Sequence, residues 1–125
     1  MRLVLVLIGG AFGSGARYLL ATSVAECFGA NFPWGTLAVN LVGSFLVGVL
    51  ATLADELGGI GPGPRAFLVI GVLGGFTTFS SFSLETWRLV EQNEVARAAL
   101  NVLGSVALSL VAVALGVAAA RVLER

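Results

Sequence analysis

The chain has 125 residues, 58% hydrophobic and 11% charged, with a mean hydropathy of +1.00; soluble domains carry roughly 25% charged residues, so the composition is that of an integral membrane protein. Seven arginines balance seven acids, and lysine and histidine are absent. Nothing here suits nucleic-acid binding or an acidic-substrate funnel, and histidine-based acid–base or metal chemistry is excluded. The single Cys27 has no partner for a disulfide or a thiolate metal site, which leaves it as a buried or interfacial thiol.

Four hydrophobic segments follow in order: Leu3–Val24, Trp34–Leu53, Arg65–Trp87 and Ala96–Val122. Each is long enough to cross a bilayer, for which about 20 residues suffice. Short turns separate them: Glu26–Pro33 with Gly29 and Asn31, the Gly/Pro-rich Asp55–Pro64, and the brief charged Glu91–Glu94. Arg2 before an apolar run faintly resembles a signal peptide. The run continues through glycines and Arg17 without a clear cleavage site, so a retained helix is expected. The reading is one all-α unit, residues 1–125, with no soluble domain.

In the first span Gly9, Gly13 and Arg17 recur every fourth residue and so line one helix face, a small-residue seam that ends in a charge. Arg17 lies roughly 10 Å from the span's end at about 1.5 Å per residue. Its guanidinium either snorkels to the headgroups or draws anions into a vestibule. The second span repeats the device with Thr36, Asn40, Ser44 and Gly48. Asn40 sits about two turns in, where its amide must find partners inside the bundle; interhelical glue and donation to a permeating anion both fit.

The third span contains Gly74-Gly75-Phe76-Thr77-Thr78-Phe79-Ser80-Ser81-Phe82. Paired glycines followed by four hydroxyl side chains weaken the helical ladder, because glycine costs backbone entropy and Ser/Thr oxygens compete for backbone partners. A broken helix at membrane depth is tolerated only where protein or a water-filled cavity surrounds it, so a break here points to a site. The alternative is a continuous helix whose glycines admit a close neighbour. Phe79 and Phe82 share a face if helical geometry resumes there. Glu85, the only acid within a span, lies near its end and reads as a mouth or vestibule residue.

In the fourth span Asn101, Ser105 and Ser109 form another polar stripe at spacing four. A helix pair needs one seam for packing, so the surplus of seams argues for a hydrated path. If the spans alternate, Arg2, Arg65, Arg121 and Arg125 fall on one side, with Arg17, Arg88 and Arg97 on the other. So small a bias predicts insertion in both orientations. Two opposed copies can then meet about a two-fold axis in the membrane plane, as inverted repeats do in larger transporters.

With Gly9-Gly10, Gly15-Ala16-Arg17-Tyr18, Gly35-Thr36-Leu37-Ala38-Val39-Asn40, Gly43-Ser44-Phe45 and the Gly74–Phe82 motif in view, the chain resembles the Fluc (CrcB) family of fluoride channels over essentially its whole length. Ser81 departs from the threonine frequent in that family but keeps the hydroxyl. The resemblance implies a dual-topology antiparallel homodimer of four-helix subunits with two fluoride pores and a third helix broken mid-membrane. It implies a structural sodium ion on the main-chain oxygens of Gly74 and Thr77 from both copies. Pore roles carry over to Asn40, Phe79, Phe82, Ser105 and Ser109, and less directly to Ser80 and Ser81. The function implied is passive fluoride exit across a bacterial plasma (inner) membrane, relieving fluoride toxicity, with no enzymatic activity and no nucleotide.

The chemistry agrees with the residues: amide N–H, hydroxyl O–H and the positive edges of phenylalanine rings can replace the hydration of a small anion without a fixed charge to trap it. A small drug/proton antiporter, the first competing class, needs a deep carboxylate, and the first span has none. A purely structural assembly protein, the second, explains the glycine seams but not three polar stripes plus a break.

Overall fold

Apolar runs seamed by small residues at spacing four bury those seams as helices. In the computed structural model, which describes Met1–Arg125, α1 covers Arg2–Phe28, α2 Trp34–Asp55 and α6 Val95–Leu123. Between α2 and α6 run α3 (Pro62–Arg65), a π-helical segment (Ala66–Leu73), α4 (Gly74–Phe76) and α5 (Phe79–Glu91). Four stretches are long and apolar enough to cross a membrane: Arg2–Phe28, Trp34–Asp55, Pro62–Glu91 and Val95–Leu123.

The third stretch starts at Pro62, earlier than the apolar run suggests. Both prolines of the preceding turn enter its first turn, where a missing N–H costs nothing and a fixed φ suits the helix. The π-winding of Ala66–Leu73 is unannounced in the sequence; the Gly74 N–H reaches back five residues to the Val69 carbonyl. At the other end, α5 closes through Asn93 at φ 60°, a left-handed position that asparagine tolerates, and the Glu94 N–H returns to the Leu89 carbonyl at 2.8 Å.

Two helix pairs make the body: α1 lies along the π segment and α4, and α2 lies along α6. Both contacts are backbone on backbone. A side chain at Gly13 would run into the Val72 carbonyl and the Phe76 amide. At the second crossing Gly48 and Gly116 face each other, with the Val113 carbonyl over one and the Phe45 carbonyl over the other. The Gly9/Gly13 seam is therefore packing against the third stretch, as small residues are used in bilayers.

Ion pairs tie one end of the bundle: Arg65 to Asp55 at 3.1 Å, and Arg121 to Glu56 at 2.7 Å. The Arg121 hydrogen bond holds the exposed Glu56 carboxyl below the usual carboxylate range. At the opposite end Arg97 reaches the Asn31 carbonyl at 3.5 Å. Only 19 of 125 residues are buried. One copy thus has little core of its own, and lipid or another chain must cover the rest.

Candidate ion-conducting groove

The site begins where helical bonding stops. Thr77 (φ −79°, ψ 154°) and Thr78 (φ −148°, ψ 122°) are extended between α4 and α5. The Thr77 N–H and hydroxyl both donate to the Leu73 carbonyl, at 3.0 and 3.1 Å. Thr78 then caps α5: its Oγ1 accepts the Ser81 N–H at 3.2 Å, the arrangement for which threonine is favoured at helix starts. The Thr78 N–H, which in a continuous helix would donate to Gly74, instead donates to Asn40 Oδ1 at 2.9 Å. In return Asn40 Nδ2 donates to the Thr78 carbonyl at 3.0 Å.

Around this point lies a groove of about 410 Å³, open on one side. Asn40 and Ser44 come from α2, Gly74, Thr77 and Thr78 from the interruption, Phe79 and Phe82 from α5, and Ser105 and Ser109 from α6. The Phe79 and Phe82 rings sit 5.4 Å apart at 47°, within the range of tilted aromatic pairs. Gly43 makes room for the interruption: a side chain there would meet the Thr77 methyl and the Phe76 ring.

Of the pore residues singled out in the sequence, Asn40, Phe79, Phe82, Ser105 and Ser109 meet here, and Ser80 and Ser81 do not. Ser80 does not line the groove; its hydroxyl lies 3.3 Å from Thr78 Oγ1. Ser81 faces the other side of α5, in a pocket of about 250 Å³ shared with Ser14, Arg17, Thr36 and Glu85. Helical geometry explains this, because residues directly adjacent to a groove-facing phenylalanine point elsewhere. Arg17 and Glu85 thus share a pocket apart from the phenylalanine groove. Thr36 donates to Glu85 Oε1 at 2.9 Å, and the buried Oε2 has no protein partner.

Ser105 also differs from a simple donor. Its hydroxyl donates to Asn101 Oδ1 at 3.2 Å; Asn101 Nδ2 donates to Thr86 Oγ1 at 2.9 Å, and Thr86 to the Phe82 carbonyl at 2.7 Å. In this arrangement Ser105 turns lone pairs to the groove, leaving Ser109 free to donate. Asn101 is 2% exposed; the stripe at spacing four contained it, but nothing local marked it as the link between α6 and α5. Thr78 was equally hidden, since its role lies in its main chain.

The groove thus presents neutral donors and phenylalanine rings between membrane helices, and no group of three or more acids, cysteines or histidines is placed to hold a metal ion. The family model described as CrcB-like protein, Camphor Resistance (CrcB), matches residues 4–117. The chain belongs to the CrcB family. Similar relatives include proteins named fluoride-specific ion channel FluC. The one from Opitutus terrae is 52% identical over 113 residues, covering 89% of this chain and 86% of the relative. That from Geobacter sulfurreducens is 51% identical over 116 residues, 93% of this chain and 94% of the relative. That from Agrobacterium fabrum is 48% identical over 121 residues, 97% of each.

Proposed function

We propose that this chain is a fluoride-selective channel of the plasma membrane, carrying fluoride passively out of the cytoplasm and so limiting its toxicity. It is a channel, not an enzyme. The observation that carries the reading is the groove itself, which gathers Asn40, Phe79, Phe82 and Ser109 beside the Thr77–Thr78 interruption in a chain whose relatives are named fluoride-specific ion channels. Fluoride is small and strongly hydrated, and close-range N–H, O–H and C–H donors can replace its water. Fluoride efflux from proteoliposomes, with chloride run in parallel, tests the assignment.

The open side of the groove calls for a second copy. Phe79 lies against the Phe82 ring, yet it is 77% exposed in one copy. An antiparallel homodimer, its third helices interrupted at mid-membrane and crossing there, closes two such grooves into two pores. Arginine placement supports it, since the two ends of the bundle differ little in positive charge. A single cysteine introduced at the carboxyl terminus, in a Cys27→Ser background, should label from both sides of the membrane. Labelling from one side alone would contradict the antiparallel arrangement.

The main chain at the interruption fits a structural sodium ion. The Thr77 carbonyl accepts no backbone hydrogen bond, and the Thr78 N–H is turned away from Gly74. Both Gly74 and Thr77 face the groove. Neutral oxygens from Gly74 and Thr77 of two copies suit a hard monovalent cation. Held by those oxygens, a sodium ion would supply positive charge between the two copies.

A further inference from the structure

We infer that Asn40 is a positioning residue that holds the interruption of the third stretch open, acting on the main chain of Thr78 before it acts on any ion. This rests on the channel reading above and gives Asn40 a second task within it.

The carboxamide of Asn40 has the same groups as a peptide unit, one carbonyl and an N–H beside it. Thr78 is extended, so its N–H and carbonyl are presented as on a β-strand, and Asn40 bonds both reciprocally at 2.9 and 3.0 Å. These are two main-chain groups that a continuous helix would have satisfied. Neither finds another backbone partner, and Thr78 is 8% exposed. In a bilayer interior a main-chain group left in that state is strongly unfavourable. Without the amide, the stretch lowers its free energy by rewinding through Thr77–Thr78, which returns the Thr78 N–H to the Gly74 carbonyl and withdraws that oxygen from the groove.

The bonding also fixes what Asn40 offers an ion. A primary amide has two N–H donors; one is committed to Thr78, so a single N–H remains for the groove. Gly43, one turn along α2 from Asn40, clears the space that Thr77 and Phe76 occupy. The two residues of α2 therefore act together: Gly43 admits the interruption and Asn40 ties it.

Isotope-labelled protein in lipid nanodiscs, observed by NMR, reads the tie at Thr78 without reference to transport. In the wild type the Thr78 amide should be protected from hydrogen exchange. Asn40→Ala should move the Thr77 and Thr78 backbone carbon shifts from extended toward helical values, with α1 and α6 unchanged. Asn40→Asp is the decisive variant, because it keeps the volume and the acceptor for the Thr78 N–H but loses the donor to the Thr78 carbonyl. Its Thr78 amide should stay protected while the Thr78 carbonyl shift moves. Acidification should return that shift toward the wild-type value as the carboxyl regains a proton to donate.

Extended, wild-type-like Thr77 and Thr78 shifts in Asn40→Ala, or an Asn40→Asp carbonyl shift equal to wild type at all pH values, overturns the inference. Should Asn40→Ala fail to fold, the isosteric Asn40→Asp still decides. Failure of the channel reading would appear separately, as wild-type protein that passes no fluoride while Thr78 still responds to Asn40.

Discussion

Replacing Phe79 or Phe82 with isoleucine should lower fluoride flux by roughly tenfold or more while leaving the protein folded and assembled. A ring edge carries partial positive charge that an aliphatic side chain lacks, and interactions of that kind reach about 1.5 kcal/mol, close to a factor of ten in rate. Packing alone does not account for such a loss. Phe79 is 77% exposed within one copy, so its truncation leaves no cavity inside the subunit, and a change of apolar shape at an open groove costs about 1.5 kcal/mol or less. Phe→Tyr keeps the ring and should retain more flux than Phe→Ile at one of the two sites. Flux is to be normalised to protein eluting at the wild-type position in size-exclusion chromatography. If both isoleucine variants assemble and conduct fluoride at wild-type rates, the rings are interface packing and the anion passes elsewhere.

The largest effect on the fold is expected at Gly13. A valine there has its Cβ directed at the Val72 carbonyl and the Phe76 amide. These are main-chain atoms, which cannot rotate aside as a side-chain tip can. The α1 contact with the third stretch must open, at a cost on the order of 3 kcal/mol or more, a large share of a small protein's total stability. Little monodisperse protein should be recovered, and what survives should melt early. Gly15→Val is the control: it adds the same bulk to the same helix, two residues on, where a side chain meets nothing within 4 Å. Equal stability of the two variants would show that the seam tolerates separation.

How much of this was legible in the sequence depended on whether a residue acts through periodicity or through its main chain. The glycine seam of α1 and the polar stripes of α2 and α6 repeat every fourth residue, and a helix necessarily turns such residues to one side. Hence the seam packs on the third stretch, and Asn40, Ser44, Ser105 and Ser109 come together in the groove. Phe79 and Phe82 meet for the same reason. The family resemblance gives Ser80 and Ser81 less direct pore roles beside these rings, but adjacency within a helix points residues apart, and Ser81 joins Arg17 and Glu85 instead.

The partners of Asn40 and Asn101 were not legible, since an amide announces that it needs hydrogen bonds but not which groups supply them. The π-winding before Gly74 left no mark in an apolar run that reads equally well as α-helix. Thr78 carried the least signal of all. Its side chain is an ordinary helix cap, and what matters is the direction of its main chain.

Fluoride efflux from liposomes containing the purified protein tests the account most directly. Vesicles loaded with potassium fluoride, with valinomycin to carry the compensating charge, should release fluoride to a selective electrode within the response time of the measurement. Identical vesicles loaded with potassium chloride should release no more than protein-free controls. The Asn40→Asp protein, reconstituted at the same protein density, should lose most of the fluoride signal, because an ionised carboxylate in a low-dielectric path repels an anion. Chloride release at a rate comparable to fluoride, or no fluoride release from well-folded wild-type protein, would contradict the account.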